Sequence, residues 1–270
     1  MSIGFIGTGH ITSAMIEGLS AGPHADDRFI VSPRNAEVAR ALAARFARVE
    51  VAPDNQTVVD RSDMVFLAVR PSVAREVVAA LRFLPAHVVV SLIALTPMER
   101  LRPLVRPAGA LVRAVPTPSC ARRAGPVLYF HDELEPGAAA RVRAMLARLG
   151  VPVAVHDERA FHRLWSLTAL VAPFYALEDT AAAWAGQAGV PRETAAVYAA
   201  SLFQALAAMV APGEGEGQGD LADRFAHLSR VAATPGGINE QAMGILGERG
   251  VFESLRSALD AVFGRMEGGR

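Results

Sequence analysis

The sequence predicts an α/β fold: a doubly wound, mostly parallel sheet at the N-terminus, followed by an all-helical domain. Three observations predict it. Strand-like and helix-like segments alternate up to about Asp157. Strand candidates such as Met64–Val69 and His87–Ile93 are continuously apolar, which is typical of parallel strands covered by helices on both faces. After Asp157 the strand-like segments stop, and apolar residues recur at helical spacing instead.

The expected elements of the first domain, residues 1–157, follow from apolar runs bounded by turn residues. The predicted strands are Ser2–Ile6, Arg28–Ser32, Arg48–Val51, Met64–Val69, His87–Ile93, Ala110–Val115, Val127–Phe130 and Val151–Val155. The predicted helices between them are Ile11–Leu19, Ala36–Phe46, Val73–Leu81 and Pro136–Leu149. This alternation is typical of a Rossmann-type domain.

The second domain, residues 158–270, is expected to be helical throughout. A long helical pattern over 160–188 contains Pro173, which should kink or divide it. Further helices are predicted at Arg192–Val210, Leu221–Ala233, Ile238–Gly247 and Phe252–Phe263. The segment PGEGEGQG at 212–219 is expected to be a flexible connector.

Composition excludes several classes of function. Basic and acidic residues balance at 27 each, so no overall field favours nucleic acid or an anionic membrane. All the basic residues are arginines, which excludes a lysine base or a lysine Schiff base. The single Cys120 is expected to be a small buried hydrophobe. The histidines lack metal-like spacing, so no metal is expected, and with neither a signal peptide nor a membrane-spanning run in view we expect a cytoplasmic protein.

A glycine-rich turn joins the first strand to the first helix. Gly7 permits the tight turn, and Gly9 lets the backbone approach a pyrophosphate at the positive end of the helix dipole. Thr12 stands where the usual fingerprint has its third glycine. The position of this turn in an alternating chain predicts a dinucleotide site. Its expected contacts are Gly7, Thr8, Gly9, His10 and Ile11.

The end of the second strand predicts which dinucleotide binds. NAD enzymes usually carry an acidic residue there for the ribose 2′-hydroxyl, whereas this chain has Ser32, Arg34 and Asn35. An acid would repel a 2′-phosphate, and these three side chains can bond to one. The sequence therefore favours NADP(H), although Arg34 could instead be an ordinary surface arginine.

Several segments together resemble the pyrroline-5-carboxylate reductase family over nearly the whole chain. They are GFIGTGHITSAMIEGL at the start, SDMVFLAVRP at 62–71, VVVSLIA at 88–94, RAVP at 113–116, AGVPRETA at 188–195 and TPGGINEQAMGILGERGVFESLRSAL at 234–259. The resemblance implies hydride transfer from NAD(P)H to the carbon of a cyclic imine. It also implies that the helical domain forms a homodimer, or a larger oligomer built from dimers. Substrate would bind between one Rossmann domain and helices of the dimer, and Ala68, Val69 and Pro71 would line the cofactor cleft.

The chain departs from the family pattern mainly in its second half. His10 replaces an asparagine in the glycine loop, and Leu95 replaces a glycine after the fifth strand. Val171 and Ala172 stand where a Ser-Gly-Ser-Gly stretch is usual, and Asn239 replaces a hydroxyl residue that reaches the imine nitrogen. The segment after RAVP is also shifted by one residue. This pattern indicates a divergent family member, and it favours a different substrate at least as much as the usual one.

Candidate substrate contacts lie on the Pro-Gly-Gly turn before a predicted helix. The turn, which leads into a helix, is expected to offer backbone N–H groups to a substrate carboxylate. The expected substrate contacts are Thr234, Gly236, Gly237 and Ile238. The catalytic candidates are Asn239, His10 and Tyr175, the last sharing a helix face with Thr168 seven residues earlier. Each has a structural alternative: helix capping for Asn239, an ordinary loop histidine for His10, and core packing for Tyr175.

Three alternatives to a pyrroline-5-carboxylate reductase remain. An enzyme of the 3-hydroxyacid dehydrogenase type shares the layout but uses a catalytic lysine, and this chain has none. A reductase of another imine would account for the altered second half. A catalytically silent NADP-binding sensor or scaffold would account for it as well.

Overall fold

A computed structural model of the protein describes residues 1–22, 26–210 and 221–268, so the connector predicted at 212–219 lies outside the described residues. The chain forms two compact units. The first contains Met1–Ser166 and the chain from Phe263 onward, and the second is Leu167–Val262. The boundary therefore follows Ser166 rather than Asp157. The reason is that the helix after Asp157 packs on the sheet, where Phe161 is fully buried against Phe130.

Each of the eight predicted strands is present in the described residues, with ends within two residues of the prediction. They are β1 Ser2–Ile6, β2 Arg28–Val31, β3 Val49–Val51, β4 Met64–Leu67, β5 Val88–Ser91, β6 Ala110–Pro116, β7 Pro126–Phe130 and β8 Val151–Val155. They form one sheet in the order β3-β2-β1-β4-β5-β6-β7-β8. Neighbouring strands run parallel except β6 and β7, which pair antiparallel. The doubly wound, mostly parallel sheet is confirmed.

Apolar side chains cover both faces of this sheet. Along β1 and β4, Phe5 and Phe66 lie in one buried cluster, and their rings stack with centroids 5.2 Å apart. Their neighbours Ile6, Val65 and Leu67 lie in a second buried cluster. Because successive strand residues point to opposite faces, burial on both faces explains why these runs are continuously apolar.

The helices of the first unit include two that the sequence did not predict. The helices of this unit are α1 His10–Ser20, α2 Ala36–Arg45, α3 Asn55–Asp60, α4 Pro71–Ala79, α5 Met98–Val105, α6 Pro136–Ala147 and α7 Glu158–Ser166. The two that were not predicted are α3 and α5. Helix α3 is only six residues long and depends on a cap, in which Thr57 N donates to Asp54 Oδ1 at 2.7 Å. Helix α5 contains Pro103, which obscures its helical pattern.

The later helices match the predicted segments. They are α8 Val171–Gly186, α9 Arg192–Val210, α10 Leu221–Ala232, α11 Ile238–Glu248 and α12 Val251–Gly268. The division expected at Pro173 falls earlier, in a 3-10 turn at Leu167–Leu170. Pro173 itself lies in the first turn of α8, where an amide hydrogen has no intrahelical acceptor and its loss costs little.

One helix departs from the expectation that no segment could cross a membrane. Among the described residues, α9 alone is long and apolar enough to cross a membrane, by length and composition only. Its mean hydropathy is 1.3, and 11% of its most apolar stretch is buried. Such a signal from one helix is weak, because a helix that packs against other protein surfaces passes the same test.

Cys120 lies in a 3-10 turn at Pro118–Arg122 and is fully buried. Burial raises the pKa of its thiol to about 11, so the thiol is protonated at neutral pH. Its carbonyl oxygen approaches α1 so closely that a Cβ on Gly18 would lie 2.0 Å from it. The prediction of a small buried hydrophobe is confirmed, and the position requires glycine on the facing helix.

Candidate active site

The glycine loop follows β1, the strand at which the strand order of the sheet changes direction. Strands β2 and β3 lie on one side of β1, while β4 and the later strands lie on the other. In doubly wound sheets, ligands bind at this switch point, beyond the carboxyl ends of the strands. Gly7 has φ +106°, and a Cβ there would lie 2.5 Å from Ala68 O. Only glycine permits this approach, and it brings Ala68 and Val69 beside the loop.

Side chains from neighbouring segments hold the loop in place. Gly7 N donates to Ser32 Oγ at 2.9 Å, and Asn35 Nδ2 donates to Thr8 O at 3.2 Å. Thr12 is fully buried, and its hydroxyl donates to Gly7 O at 2.7 Å. A threonine is therefore compatible with the third position of the fingerprint, because its hydroxyl forms a hydrogen bond to the loop.

The face of the loop that a pyrophosphate would meet is open. Gly9 precedes α1, and a Cβ added there would meet no atom within 4 Å. The first turn of α1 carries no acidic residue, and His10 is exposed at its start. The free N–H groups and positive dipole end of α1 thus face an unobstructed space, which fits a dinucleotide pyrophosphate.

The residues after β2 differ in what they can reach. Ser32 is only 1% exposed, and it supports the loop from inside rather than facing solvent. Arg34 is exposed and forms no ion pair with any described residue. Arg34 is therefore the group of this segment available to a 2′-phosphate, with the exposed Asn35 beside it. Pro71 is exposed at the first position of α4.

Leu95 retains a backbone shape that suits glycine. Its φ is +56°, in the left-handed region that side chains with a Cβ rarely adopt. This is the position after β5 where the resembling family carries glycine. Leu95 therefore adopts a conformation in which glycine would be free of strain.

The RAVP segment contains a buried charge that sequence reasoning missed. Arg113 on β6 has no exposed surface, and its Nη1 lies 2.5 Å from Glu158 Oε1 and 2.9 Å from His162 Nε2. Its guanidinium lies 4.8 Å from the ring centroid of Phe161. Burial lowers the pKa of Arg113, and Glu158 partly opposes this shift. The available signal was an arginine within an otherwise apolar strand.

This cluster also holds the end of the last helix. His162 Nδ1 lies 2.7 Å from Glu267 Oε1 on α12. Because an arginine can only donate, His162 Nε2 accepts from Arg113, which leaves the Nδ1 proton for Glu267. The arrangement explains why the chain from Phe263 onward belongs to the first unit.

The Pro-Gly-Gly segment of the second unit forms a type II turn. Gly237 N donates to Thr234 O at 2.9 Å across Pro235 and Gly236, and Gly236 has φ +75°. A Cβ on Gly237 would lie 2.5 Å from Thr234 Oγ1. The turn ends at Gly237, which precedes α11. The sequence TPGG is accounted for by this geometry.

The backbone N–H groups of this turn are not available as expected. Thr234 N donates to Ala232 O at 3.0 Å, Gly237 N donates within the turn, and Pro235 has no N–H. Gly236 N donates to Glu240 Oε2 at 2.7 Å. Within the turn itself the chain therefore supplies the acceptors, whereas the N–H groups of the first turn of α11, which the expectation also covers, have no intrahelical acceptor. Sequence reasoning missed Glu240, although an acid in the first turn of a helix is a recognised capping signal.

The remaining candidates lie on exposed helix surfaces. Asn239 is exposed, and its Nδ2 donates to Ala232 O at 3.1 Å, which leaves its side-chain oxygen as an acceptor. Ile238 is 83% exposed and Tyr175 is 62% exposed. Thr168 lies in the 3-10 turn before α8, whereas Tyr175 lies in α8. The shared helix face predicted from their seven-residue spacing is therefore wrong, because a 3-10 turn has fewer residues per turn than an α-helix.

Two family models match the chain in sequence order. Residues 2–95 match the family described as NADP oxidoreductase coenzyme F420-dependent. Residues 166–268 match the family described as pyrroline-5-carboxylate reductase dimerisation. The pyrroline-5-carboxylate reductase of a Synechocystis species is 26% identical over 272 residues, covering 99% of this chain and 97% of that protein.

Solved structures with the same fold include enzymes of this family. The 1-pyrroline-5-carboxylate reductase of Streptococcus pyogenes superposes with a TM-score of 0.81 at 23% identity, covering 99% of this chain and 98% of the other. The Plasmodium falciparum pyrroline carboxylate reductase with NADP bound gives 0.82 at 15% identity, covering 100% and 98%. A reductive aminase from Aspergillus terreus in complex with NADPH gives 0.58 at 19%, covering 100% and 94%.

The two matched models, the order in which they occur and the full-length relative agree with the geometry of the loop and the sheet. The chain is similar to pyrroline-5-carboxylate reductases over nearly its whole length, and its residues 166–268 match the dimerisation family of those enzymes.

Proposed function

We propose that this chain is an NADPH-dependent reductase that acts on the C=N bond of a cyclic imine. The observation that carries the proposal is the glycine loop, which presents the open N-terminus of α1 at the switch point of the sheet, with the unpaired Arg34 nearby. The family supports the reaction type, and a family member of known structure holds NADP.

Each part of the proposed site is assigned to particular residues of this chain. When bound, NADPH supplies a hydride to the imine carbon. The loop from Gly7 to Ile11 would hold the pyrophosphate, Arg34 and Asn35 would meet the 2′-phosphate, and Ala68, Val69 and Pro71 would line the cleft. His10 at the start of α1 can donate to a phosphate or to substrate.

Protonation of the imine is left to the substrate itself. The chain contains no lysine, and Asn239, which is not an acid, has a free side-chain oxygen that can accept a hydrogen bond. We propose that the imine arrives protonated and that Asn239 accepts its N–H. The C=N electron pair then passes to nitrogen as the C–H bond forms, and an amine leaves. Tyr175 remains a candidate for contact with substrate.

The usual family substrate is proposed to be a poor one for this chain. Pyrroline-5-carboxylate carries a carboxylate, and the N–H groups of the Thr234–Gly237 turn that could bind it already have acceptors. The Ser-Gly-Ser-Gly stretch is also replaced at Val171 and Ala172. Each lost hydrogen bond to a bound polar group costs about 1–3 kcal/mol, which is roughly tenfold to hundredfold in rate.

We also propose a homodimer formed by the helical domain, or a larger oligomer built from such dimers. The dimerisation model matched over residues 166–268 supports it. A cytoplasmic location is proposed as well, since a single buried cysteine suits a reducing compartment.

A catalytically silent NADP-binding protein is the second candidate. The observation that favours it is that the N–H groups of the Thr234–Gly237 turn already have acceptors, which leaves only those at the start of α11 for a substrate carboxylate. Such a protein would bind NADPH but would oxidise it with no imine.

The decisive assay is steady-state oxidation of NADPH, and separately of NADH, with a panel of cyclic imines that includes pyrroline-5-carboxylate. We expect turnover of at least one imine that lacks a carboxylate, with NADPH preferred. On pyrroline-5-carboxylate we expect turnover well below about 10 per second, the median for enzymes. Ordinary turnover of pyrroline-5-carboxylate would contradict the altered substrate. Binding of NADPH without turnover of any imine would favour the silent protein.

A further inference from the structure

Glu240 occupies the place at which a substrate carboxylate would be expected to bind. Its Oε2 lies 2.7 Å from Gly236 N, the one N–H of the Thr234–Gly237 turn that no backbone oxygen accepts. Gly236 has φ +75°, and the acceptor of its N–H is the side chain of Glu240 rather than a backbone oxygen. The chain thus places its own carboxylate on the donor that the turn would otherwise offer.

The charge of Glu240 is not neutralised by a partner. It is exposed, and no arginine among the described residues forms an ion pair with it. The N–H groups of the first turn of α11, at residues 238–240, have no intrahelical acceptors and are the remaining donors there. A second carboxylate that approached these donors would meet the carboxylate of Glu240, so like-charge repulsion would oppose it.

The neighbouring side chain has the same polarity. Asn239 uses its Nδ2 on Ala232 O, which leaves an oxygen acceptor on the surface. The start of α11 therefore presents a carboxylate and an amide oxygen side by side. Both favour a group that carries positive charge and N–H donors, which describes a protonated imine.

We infer that Glu240 is a specificity-determining residue that excludes carboxylated imines and favours protonated cyclic imines without an anionic group. The inference rests on the proposed function, because it concerns which imine the same reductase accepts. The reaction is unchanged: hydride adds to the imine carbon, the π pair goes to nitrogen, and NADP⁺ and a secondary amine are the products.

Two substitutions separate the charge of Glu240 from its hydrogen bond. Glu240→Gln keeps an acceptor for Gly236 N but removes the charge, and Glu240→Ala removes both. Glu248→Gln is the matched control, because Glu248 is exposed in the last turn of the same helix. Thermal unfolding of each variant shows whether α11 and its unit still fold.

The readout is the ratio of kcat/KM for pyrroline-5-carboxylate to kcat/KM for 1-pyrroline, which lacks the carboxylate, with NADPH in both assays. We expect the ratio to rise about tenfold or more in Glu240→Ala, mainly through a lower KM for the carboxylated imine. Glu240→Gln should give a smaller rise, and Glu248→Gln none. Inhibition by L-proline should tighten in Glu240→Ala relative to inhibition by pyrrolidine.

The outcomes keep this inference distinct from the proposed function. If the unaltered protein reduces 1-pyrroline and the ratio does not change in Glu240→Ala, the inference is wrong and the proposed function stands. If L-proline inhibition does not tighten while the variant remains folded, the inference is also wrong. If neither imine is reduced by any of the four proteins, the proposed function fails and the inference fails with it.

Discussion

At the scale of single residues, Leu95 adopts a backbone conformation that suits glycine. Leu95 has φ +56°, and a left-handed conformation costs a residue with a Cβ roughly 1–2 kcal/mol. Its side chain is half-buried. The sequence showed only a leucine where the resembling family has glycine, whereas the structure shows that this leucine lies in the left-handed region.

We expect Leu95→Gly to be more stable than Leu95→Ala by about 1 kcal/mol, the reverse of the usual order, because glycine alone adopts this φ without strain. Urea unfolding of both variants gives the two free energies of unfolding. The control is Ala144→Gly at an exposed position of α6, which should lower stability by about 1 kcal/mol. Equal or greater stability of Leu95→Ala would contradict the assignment of strain.

Arg34 is expected to distinguish the two nicotinamide cofactors. Hydrogen bonds to charged groups contribute about 1.5–3 kcal/mol, so Arg34→Ala should weaken NADPH binding roughly tenfold to hundredfold and change NADH binding little. Fluorescence titration with each cofactor measures this. Arg40→Ala is the control, because Arg40 Nε donates to Ala36 O on its own helix. Equal losses with both cofactors would show that Arg34 does not contact the 2′-phosphate.

At the scale of elements, a strand or helix could be predicted when its own residue pattern distinguishes it from other structures. The strands of the sheet were predicted because burial on both faces imposes an apolar run that few helices of similar length share. Helix α3 was not predicted because its six residues depend on one side-chain cap. The 3-10 turn at Leu167–Leu170 was not predicted either, since apolar spacing cannot distinguish it from a continuing α-helix.

Helices α8 and α9 expose more apolar surface than a small helical unit usually leaves in water. Trp184 is 74% exposed, Tyr198 71% and Val197 62%. Phe174 on α8 and Phe203 on α9 form an edge-to-face pair with centroids 6.0 Å apart, although Phe174 itself is 44% exposed. A partner surface on these helices would account for the apolar composition of α9 without a membrane.

We therefore expect a dimer of twice the 28.5 kDa chain mass at micromolar concentration, measured by light scattering. Interfaces of obligate dimers bury about 2,000 Å² or more, so one buried charge should weaken them strongly. Tyr198→Asp on α9 should shift the mass toward the monomer, and Arg141→Asp, at an exposed position of α6, should not. A monomer mass for the unaltered protein would overturn the proposal.

At the scale of the whole molecule, the two units differ in how far the sequence reveals their chemistry. In the first unit, Gly7, Gly9 and Arg34 could be proposed from the sequence because a phosphate site needs particular backbone shapes and charges at fixed places along the chain. Glu240 could not, because its effect depends on one rotamer reaching Gly236 N across a turn. Arg113 was missed for a similar reason, since its partners Glu158 and His162 are distant in sequence.

The central claim is that hydride from NADPH reaches the carbon of a cyclic imine on this protein. The most direct measurement uses NADPH deuterated at the transferable position of the nicotinamide, incubated with the protein and 1-pyrroline, followed by mass spectrometry of the amine. The account predicts one deuterium on the former imine carbon for each NADPH oxidised. Tight binding of NADPH with no labelled amine, from 1-pyrroline or from any other imine of the panel, would contradict it.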